Sequence, residues 1–197
     1  IEVIFFSSNC KFSKCEKPFC KDDPSILQIG TAPNKNISTL CEALKGIACK
    51  LVIIGRVSSD IREKLRRNSI DHEICEDRLT DEQIEQRYRE SDIVSLPSTL
   101  EGFGMPIIEG NSVGRVVVTS NVTSMPEVAG DSAILVDPYC VKSMRAGFLL
   151  AIDDDQGRQR LIENGFKNVM RFDTQVIAEE HYQLYKKLFP NLFRGRK

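Results

Sequence analysis

The chain has 197 residues, 41% of them hydrophobic, which suffices to bury one substantial core and is short for two. Its 27 basic and 28 acidic residues leave a net charge of -1 and are spread along the sequence, so no global field points to nucleic acid and none is expected as a partner. No apolar run approaches the roughly 20 residues that span a bilayer, and no charged-then-apolar leader opens at Ile1, so a soluble, cytoplasmic protein is expected.

Residues 1–6 read as a strand, and residues 7–24 as a polar, aperiodic connector. The connector carries Cys10, Cys15 and Cys20, whose even spacing lacks the Cys-x-x-Cys pairing and the fourth ligand that zinc requires. With an odd total of seven cysteines, and with Cys41 and Cys49 inside apolar patterns, free thiols are expected and no metal.

From Ser25 onward short apolar runs alternate with helical patterns. Strands are expected at 26–30, 51–55, 72–75, 93–96, 116–119 and 134–136, and six strands separated by helices imply an α/β fold built on a doubly wound, Rossmann-like parallel sheet. Leu40, Leu44 and Ile47 recur at helical spacing, and Thr80-Asp81-Glu82-Gln83 fits a capping box before Ile84 and Tyr88. After Pro138 three helical stripes follow: Met144, Phe148 and Leu149; Leu161, Ile162 and Val169; and Ile177, Tyr182, Tyr185 and Leu188. Asp153-Asp154-Asp155 contains Asp-x-Asp, but it follows a helical run and reads as a polar helix end, not a metal site at a strand end. His72 and His181 have no Ser or Cys partner at a catalytic spacing. The terminal Arg194-Gly195-Arg196-Lys197, with Lys186 and Lys187, is a basic cluster suited to a solvated tail or to peripheral contact with an anionic membrane. Repeats and low-complexity tracts are absent from the sequence.

The most informative segment is Pro97-Ser98-Thr99-Leu100-Glu101-Gly102-Phe103-Gly104-Met105-Pro106-Ile107-Ile108-Glu109. It joins a buried strand to a helix that Pro106 opens, since a first-turn residue needs no amide hydrogen. Gly102 and Gly104 let the backbone approach a ligand, and the free amides of the following turn attract hydroxyl or phosphate oxygens. Glu101 and Glu109, the latter expected in the first helical turn, can each accept two hydrogen bonds from a vicinal diol, which suits a sugar and a ribose. Singly, Glu101 reads equally as a solvated loop acid and Glu109 as a complement to the helix dipole; the full pattern favours the ligand cradle.

This segment resembles the Glu-x7-Glu signature of retaining nucleotide-sugar glycosyltransferases of the GT-B type, family four. Arg115-Val116-Val117-Val118-Thr119-Ser120, Met125-Pro126-Glu127-Val128-Ala129-Gly130 and Ala133-Ile134-Leu135-Val136-Asp137-Pro138 continue the likeness in order, so that residues 25–189 resemble the C-terminal, donor-binding half of such enzymes. The resemblance implies a donor-binding Rossmann-like domain over residues 25–197, including a last helix that crosses back to the N-terminal domain. Residues 1–24 would be the end of that domain and the hinge. It implies transfer of a hexosyl group from a UDP- or GDP-sugar, with no further cofactor, to a small-molecule, glycan or lipid-linked acceptor in polysaccharide biosynthesis. The missing N-terminal domain would carry the acceptor site, so the isolated chain would be inactive.

By the same resemblance Glu101 faces the sugar hydroxyls and reacting centre, Phe103, Gly104 and Met105 give backbone contacts, Pro106 opens the helix, and Glu109 accepts from the ribose. Lys35, in the loop after Gly30, stabilises the departing diphosphate. Many relatives carry an arginine where this chain has Thr31, which leaves either a weaker clamp with one hydroxyl donor or a displaced cation at Arg56. Arg78 and Leu79 match the base-contacting loop, and also suit a plain surface turn. Rival readings are a nucleotide-sugar epimerase or hydrolase of similar fold and a non-catalytic nucleotide-binding module. A dinucleotide oxidoreductase is disfavoured because no Gly-x-Gly-x-x-Gly turn begins at Gly30.

Overall fold

A computed structural model describes residues 4–5 and 12–192. Six strands form one parallel sheet: β1 (Ser25–Ile29), β2 (Lys50–Ile54), β3 (Asp71–Cys75), β4 (Ile93–Leu96), β5 (Val116–Ser120) and β6 (Ala133–Val136). Their spatial order is β3-β2-β1-β4-β5-β6, and each neighbouring pair is parallel. Each expected strand is present to within a residue: the central strands β1, β2, β4 and β5 are mostly buried apolar runs, whereas the edge strand β3 is polar at Asp71-His72-Glu73 and exposed at the first two of these.

Period-two alternation sends Ile26, Leu51, Ile53, Ile93, Val116 and Val118 to one face of the sheet, and Leu27, Val52, Val94, Leu96 and Val117 to the other. The first face is covered by α1 (Ile37–Leu44), α2 (Ser59–Arg67) and α6 (Val141–Asp153); the second by α3 (Asp81–Glu90), α4 (Met105–Val113) and α5 (Met125–Ala129). The capping box at Thr80 and Gln83 forms in both directions, with Gln83 N donating to Thr80 Oγ1 and Thr80 N donating to Gln83 Oε1. Ile47 departs from expectation. The helix ends at Leu44, and Ile47 lies in the loop beyond it, its amide closing a turn on the Leu44 carbonyl at 2.9 Å.

The expected core stripes of the last three helices are only partly buried. In α6, Met144 and Phe148 are fully buried while Leu149 is exposed. Helix α7 (Asp155–Met170) packs through small and polar residues: a Cβ on Gly165 would meet Asn111 Nδ2 at 2.9 Å, and Asn168 donates to Asn111 Oδ1. Helix α8 (Thr174–Leu188) buries Ile177 and leaves Tyr182, Tyr185 and Leu188 about half exposed, so these three do not pack into a core within the described residues. The Asp-x-Asp run joins two helices: Asp153 ends α6, and Asp154 caps α7 by accepting from Gly157 N at 2.9 Å.

Of the expected strand at 1–6, only Ile4 and Phe5 lie within the described residues, and neither is in a strand; Cys10 and the basic residues 194–197 also lie outside. Residues 12–24 form no helix or strand and run beneath the amino ends of β4 and β5. Asp92 fastens this segment by accepting from Lys17 Nζ, from Cys20 N at 3.1 Å and from Ser25 N at 2.9 Å. Buried Arg115 gives its guanidinium to five backbone carbonyls, those of Cys15, Tyr88, Arg89, Val113 and Gly114. Burial lowers the proton affinity of Arg115, yet the five acceptors replace its water. The described cysteines are all free thiols, with Cys41 and Cys49 pushed by burial to about 11. Among the described residues no helix is long and apolar enough to cross a membrane, and no group of three or more His, Cys, Asp or Glu is placed to hold a metal.

Candidate functional site

The sheet order reverses between β1 and β4, two adjacent strands whose connections leave in opposite directions. A doubly wound sheet opens a crevice at such a point, beyond the carboxyl ends of the strands. The loop after β1 (residues 30–36) and the loop after β4 (residues 97–104) meet there. Asn34 Nδ2 donates to the Leu100 carbonyl at 2.8 Å, Thr99 N donates to the Asn34 carbonyl at 2.8 Å, and Asn36 Nδ2 donates to the carbonyls of Pro97 and Pro138 at 3.1 and 2.8 Å. Asn36 can serve both because it sits in the left-handed region, at φ 57°, between the 3-10 turn Pro33–Lys35 and α1.

These ties bring Lys35 and Glu101 together. Lys35 Nζ lies 2.6 Å from Glu101 Oε1, which also accepts from Ser98 Oγ at 2.6 Å. Glu101 Oε2 accepts no hydrogen bond from the described residues. Both side chains are mostly withdrawn from water, at 18% and 14% exposure, so the pair is screened less than a surface ion pair. Gly30 allows the approach: it has φ +81°, and a Cβ there would meet Lys35 Cε at 3.1 Å. The loop then turns into α4 at Gly104, with φ +108°, where a side chain would be strained and would press Ile107 Cδ1 at 3.1 Å. Gly102 has no such role; its φ is not positive and a Cβ there would meet nothing within 4 Å. Ser124 Oγ steadies the bend by donating to the carbonyls of Glu101 and Phe103, both at 3.0 Å.

Glu109 is the fifth residue of α4, so it starts the second helical turn rather than lying in the first. It accepts a hydrogen bond from the hydroxyl of Tyr88 on α3. Burial raises its proton affinity; the Tyr88 hydroxyl opposes that, Asp81 adds to it and Lys35 opposes it. Pro106 is buried in the first turn and has no amide hydrogen, Ile107 N donates to the Gly104 carbonyl at 2.9 Å, and Gly104 has no side chain to cap the helix, which leaves the Met105 amide as the leading donor at that end of α4. Met105 begins the helix, and Phe103 turns its ring edge-on to Phe172, centroids 5.5 Å apart.

The remaining candidates stand further out. Thr31 packs against Gly55, where a Cβ would meet Thr31 Cγ2 at 3.0 Å, and lines a cavity of about 300 Å³ with Pro33, Asn36, Val57 and Ser58. Arg56, beyond the end of β2, is exposed and makes no hydrogen bond or ion pair with the described residues. Arg78 is exposed and Leu79 half-buried in the loop before the Thr80 cap. A cavity of about 680 Å³ lies at the opposite end of the sheet under residues 14–19. Most of its charges are engaged within the chain, Lys14 with Glu16, Lys17 with Asp92 and Arg158 with Asp155, as expected of a seam beneath the connector. Sequence reasoning gave Ser98 no role of its own within residues 97–109, and missed Ser124 and Tyr88 as parts of the crevice. The signal for Tyr88 was a tyrosine where phenylalanine would fill a core position, since a buried hydroxyl needs a partner.

Fold and crevice define an α/β domain of the doubly wound class that takes ligands beyond the carboxyl ends of its strands. The chain belongs to the family Glycosyl transferases group 1, whose profile matches residues 12–168. It is 36% identical over 110 residues to the O-antigen chain mannosyltransferase B of Escherichia coli, covering 56% of this chain and 29% of that protein. Among solved structures, its fold matches sucrose-phosphate synthase from Thermosynechococcus elongatus with a TM-score of 0.81 and 21% identity, over 96% of this chain and 53% of that one. It also matches Anabaena Alr3699/HepE, solved in complex with UDP and glucose, with a TM-score of 0.71 and 18% identity, over 84% and 48% of the two chains. The chain thus spans about three tenths of that curated relative and about half of these two solved chains. The GT-B resemblance and the Rossmann-like sheet drawn from the sequence both stand.

Proposed function

We propose that residues 25–197 form the donor-binding half of a retaining glycosyltransferase, and that residues 1–24 are the end of an N-terminal acceptor-binding domain and its connector. The observation that carries this reading is the Lys35–Glu101 contact across the sheet's switch point, with Glu109 on the adjoining helix. In the reaction, the bond between the anomeric carbon and the diphosphate oxygen breaks and negative charge gathers on the diphosphate. Lys35 supplies a fixed cation beside that charge, and the Met105 amide at the start of α4 supplies a donor, both in a crevice that excludes part of the water. Glu101 keeps Oε2 free for the sugar hydroxyls, and Glu109 takes the ribose diol. Phe103, Met105 and Gly104 present backbone to the sugar and phosphate, and Arg78 and Leu79 border the base. Arg56, which has no hydrogen bond or ion pair among the described residues, serves as the second phosphate cation where Thr31 provides only a hydroxyl.

The donor is a UDP- or GDP-sugar, with no further cofactor. The mannosyltransferase name of the 36% identical relative supports a hexosyl group and a glycan acceptor. Family membership weighs against an epimerase or hydrolase. A thermal-shift screen of uridine, guanosine and adenosine diphosphate sugars tests the site: one of the first two should raise Tm in the wild-type chain and not in Glu109→Ala. No shift with any donor would contradict the reading. Because the acceptor site belongs to that N-terminal domain, residues 1–197 on their own should not transfer sugar; rapid transfer would refute that assignment.

A further inference from the structure

We propose that Tyr88 is the positioning residue for Glu109: its phenol holds one carboxylate oxygen so that the other is presented to the ribose diol of a nucleoside diphosphate. The inference rests on the donor-site reading above and extends it to a neighbouring helix. Tyr88 is fully buried, and its hydroxyl donates to Glu109 Oε2. Its ring is held on one side by Phe12 of the connector, centroids 5.4 Å apart. Its backbone is held as well, because its carbonyl accepts from Arg115 Nε at 3.2 Å and from Ser91 Oγ at 2.9 Å. A phenol fixed at both ends cannot follow a wandering carboxylate; the carboxylate must come to it. The groups acting on Glu109 are Tyr88 and Asp81 from α3 and Lys35 from the loop after β1. Burial and Asp81 favour the protonated carboxyl, whereas Tyr88 and Lys35 favour the carboxylate that a diol prefers as acceptor.

The test is calorimetric titration of the 197-residue chain with uridine and guanosine diphosphates and their 2′-deoxy counterparts, for the wild type, Tyr88→Phe and Glu109→Gln. The wild type should prefer the ribonucleotide. Tyr88→Phe keeps the ring but loses the hydroxyl, so its affinity for the ribonucleotide should fall roughly tenfold while that for the deoxynucleotide stays unchanged. The loss of binding on acidification should also begin at a higher pH, because Glu109 has lost a donor that stabilised its charge. A Tyr88→Phe chain with the full ribose preference and the wild-type acid limb would overturn the proposal. A wild-type chain that binds without ribose preference, as Glu109→Gln does, would instead overturn the assignment of Glu109 itself, and the proposal with it. If Tyr88→Phe does not fold, 3-fluorotyrosine at position 88 donates more strongly at nearly the same size. It should move the acid limb to lower pH, and an unmoved limb would overturn the proposal.

Discussion

At the amino ends of the strands Arg115 spends its guanidinium on five carbonyls and Asp92 takes three donors, two of them backbone amides; at the carboxyl ends, among the described residues, Arg56 makes no hydrogen bond or ion pair and Glu101 keeps an oxygen unused. The same residue types therefore do different work at the two ends. Polar groups at the lower end are satisfied within the chain, so they fasten the connector to the domain. Those at the upper end are gathered by tight loops and keep hydrogen-bonding capacity that the proposed donor would take up. Damage below should appear as lost stability, and damage above as lost binding.

The largest effect should come from Asp92→Ala, which strands Lys17 and the amides of Cys20 and Ser25. A loss of about 2–4 kcal/mol is expected, read as a fall in Tm of about 5–15 °C, with nucleotide affinity unchanged well below the transition. Equal loss of binding would erase the distinction between the two ends. Lys35→Ala should do the reverse, weakening a nucleotide sugar roughly 10- to 100-fold in calorimetry while Tm moves by less than about 2 °C. Binding that survives the change would remove Lys35 from the donor site.

The smallest effect, and the sharpest in sign, concerns Glu109→Gln. Burial raises the folded-state pKa of Glu109 above its ordinary 4.5. A carboxyl so raised contributes stability that is complete below the unfolded pKa and is lost as pH rises through the folded one. At pH 7 the wild type therefore carries a cost that glutamine removes, and the variant should melt up to a few degrees higher there, with the gain vanishing below about pH 4. A variant less stable at pH 7 would show that the carboxylate is not held at a cost. A stability gain joined to weaker ribose binding would mark Glu109 as kept for function.

Much of the upper end was legible in the sequence, and little of the lower. Strands such as Val116–Ser120 announce themselves as unbroken apolar runs, and the glycine, proline and acids of residues 101–109 sit within one short stretch. Alternating strands and helices imply a parallel sheet but not its order, so the meeting of Lys35 and Glu101, 66 residues apart, was implied only by the family resemblance. The fastening of the connector had no local signal, because residues 12–24 have no period and Asp92 binds amides 67 and 72 positions away. Helix α7 was legible only in part: Leu161 and Val169 of its apolar stripe pack, partly buried, against the core, but its fully buried positions are Gly157, Arg158, Gly165 and Asn168, which a search for apolar stripes passes over. Tyr182 and Tyr185 misled in the other direction, as a helical apolar stripe does not tell whether its partner lies in the same domain.

The central claim is that the crevice between the loops after β1 and β4 grips a nucleotide sugar, and a crystal structure of the chain soaked with UDP- and GDP-sugars tests it most directly. The ribose should lie on Glu109, the sugar against Glu101 and the diphosphate beside Lys35. Saturating donor with this crevice empty, or with both carboxylates turned away from the ligand, would contradict the account.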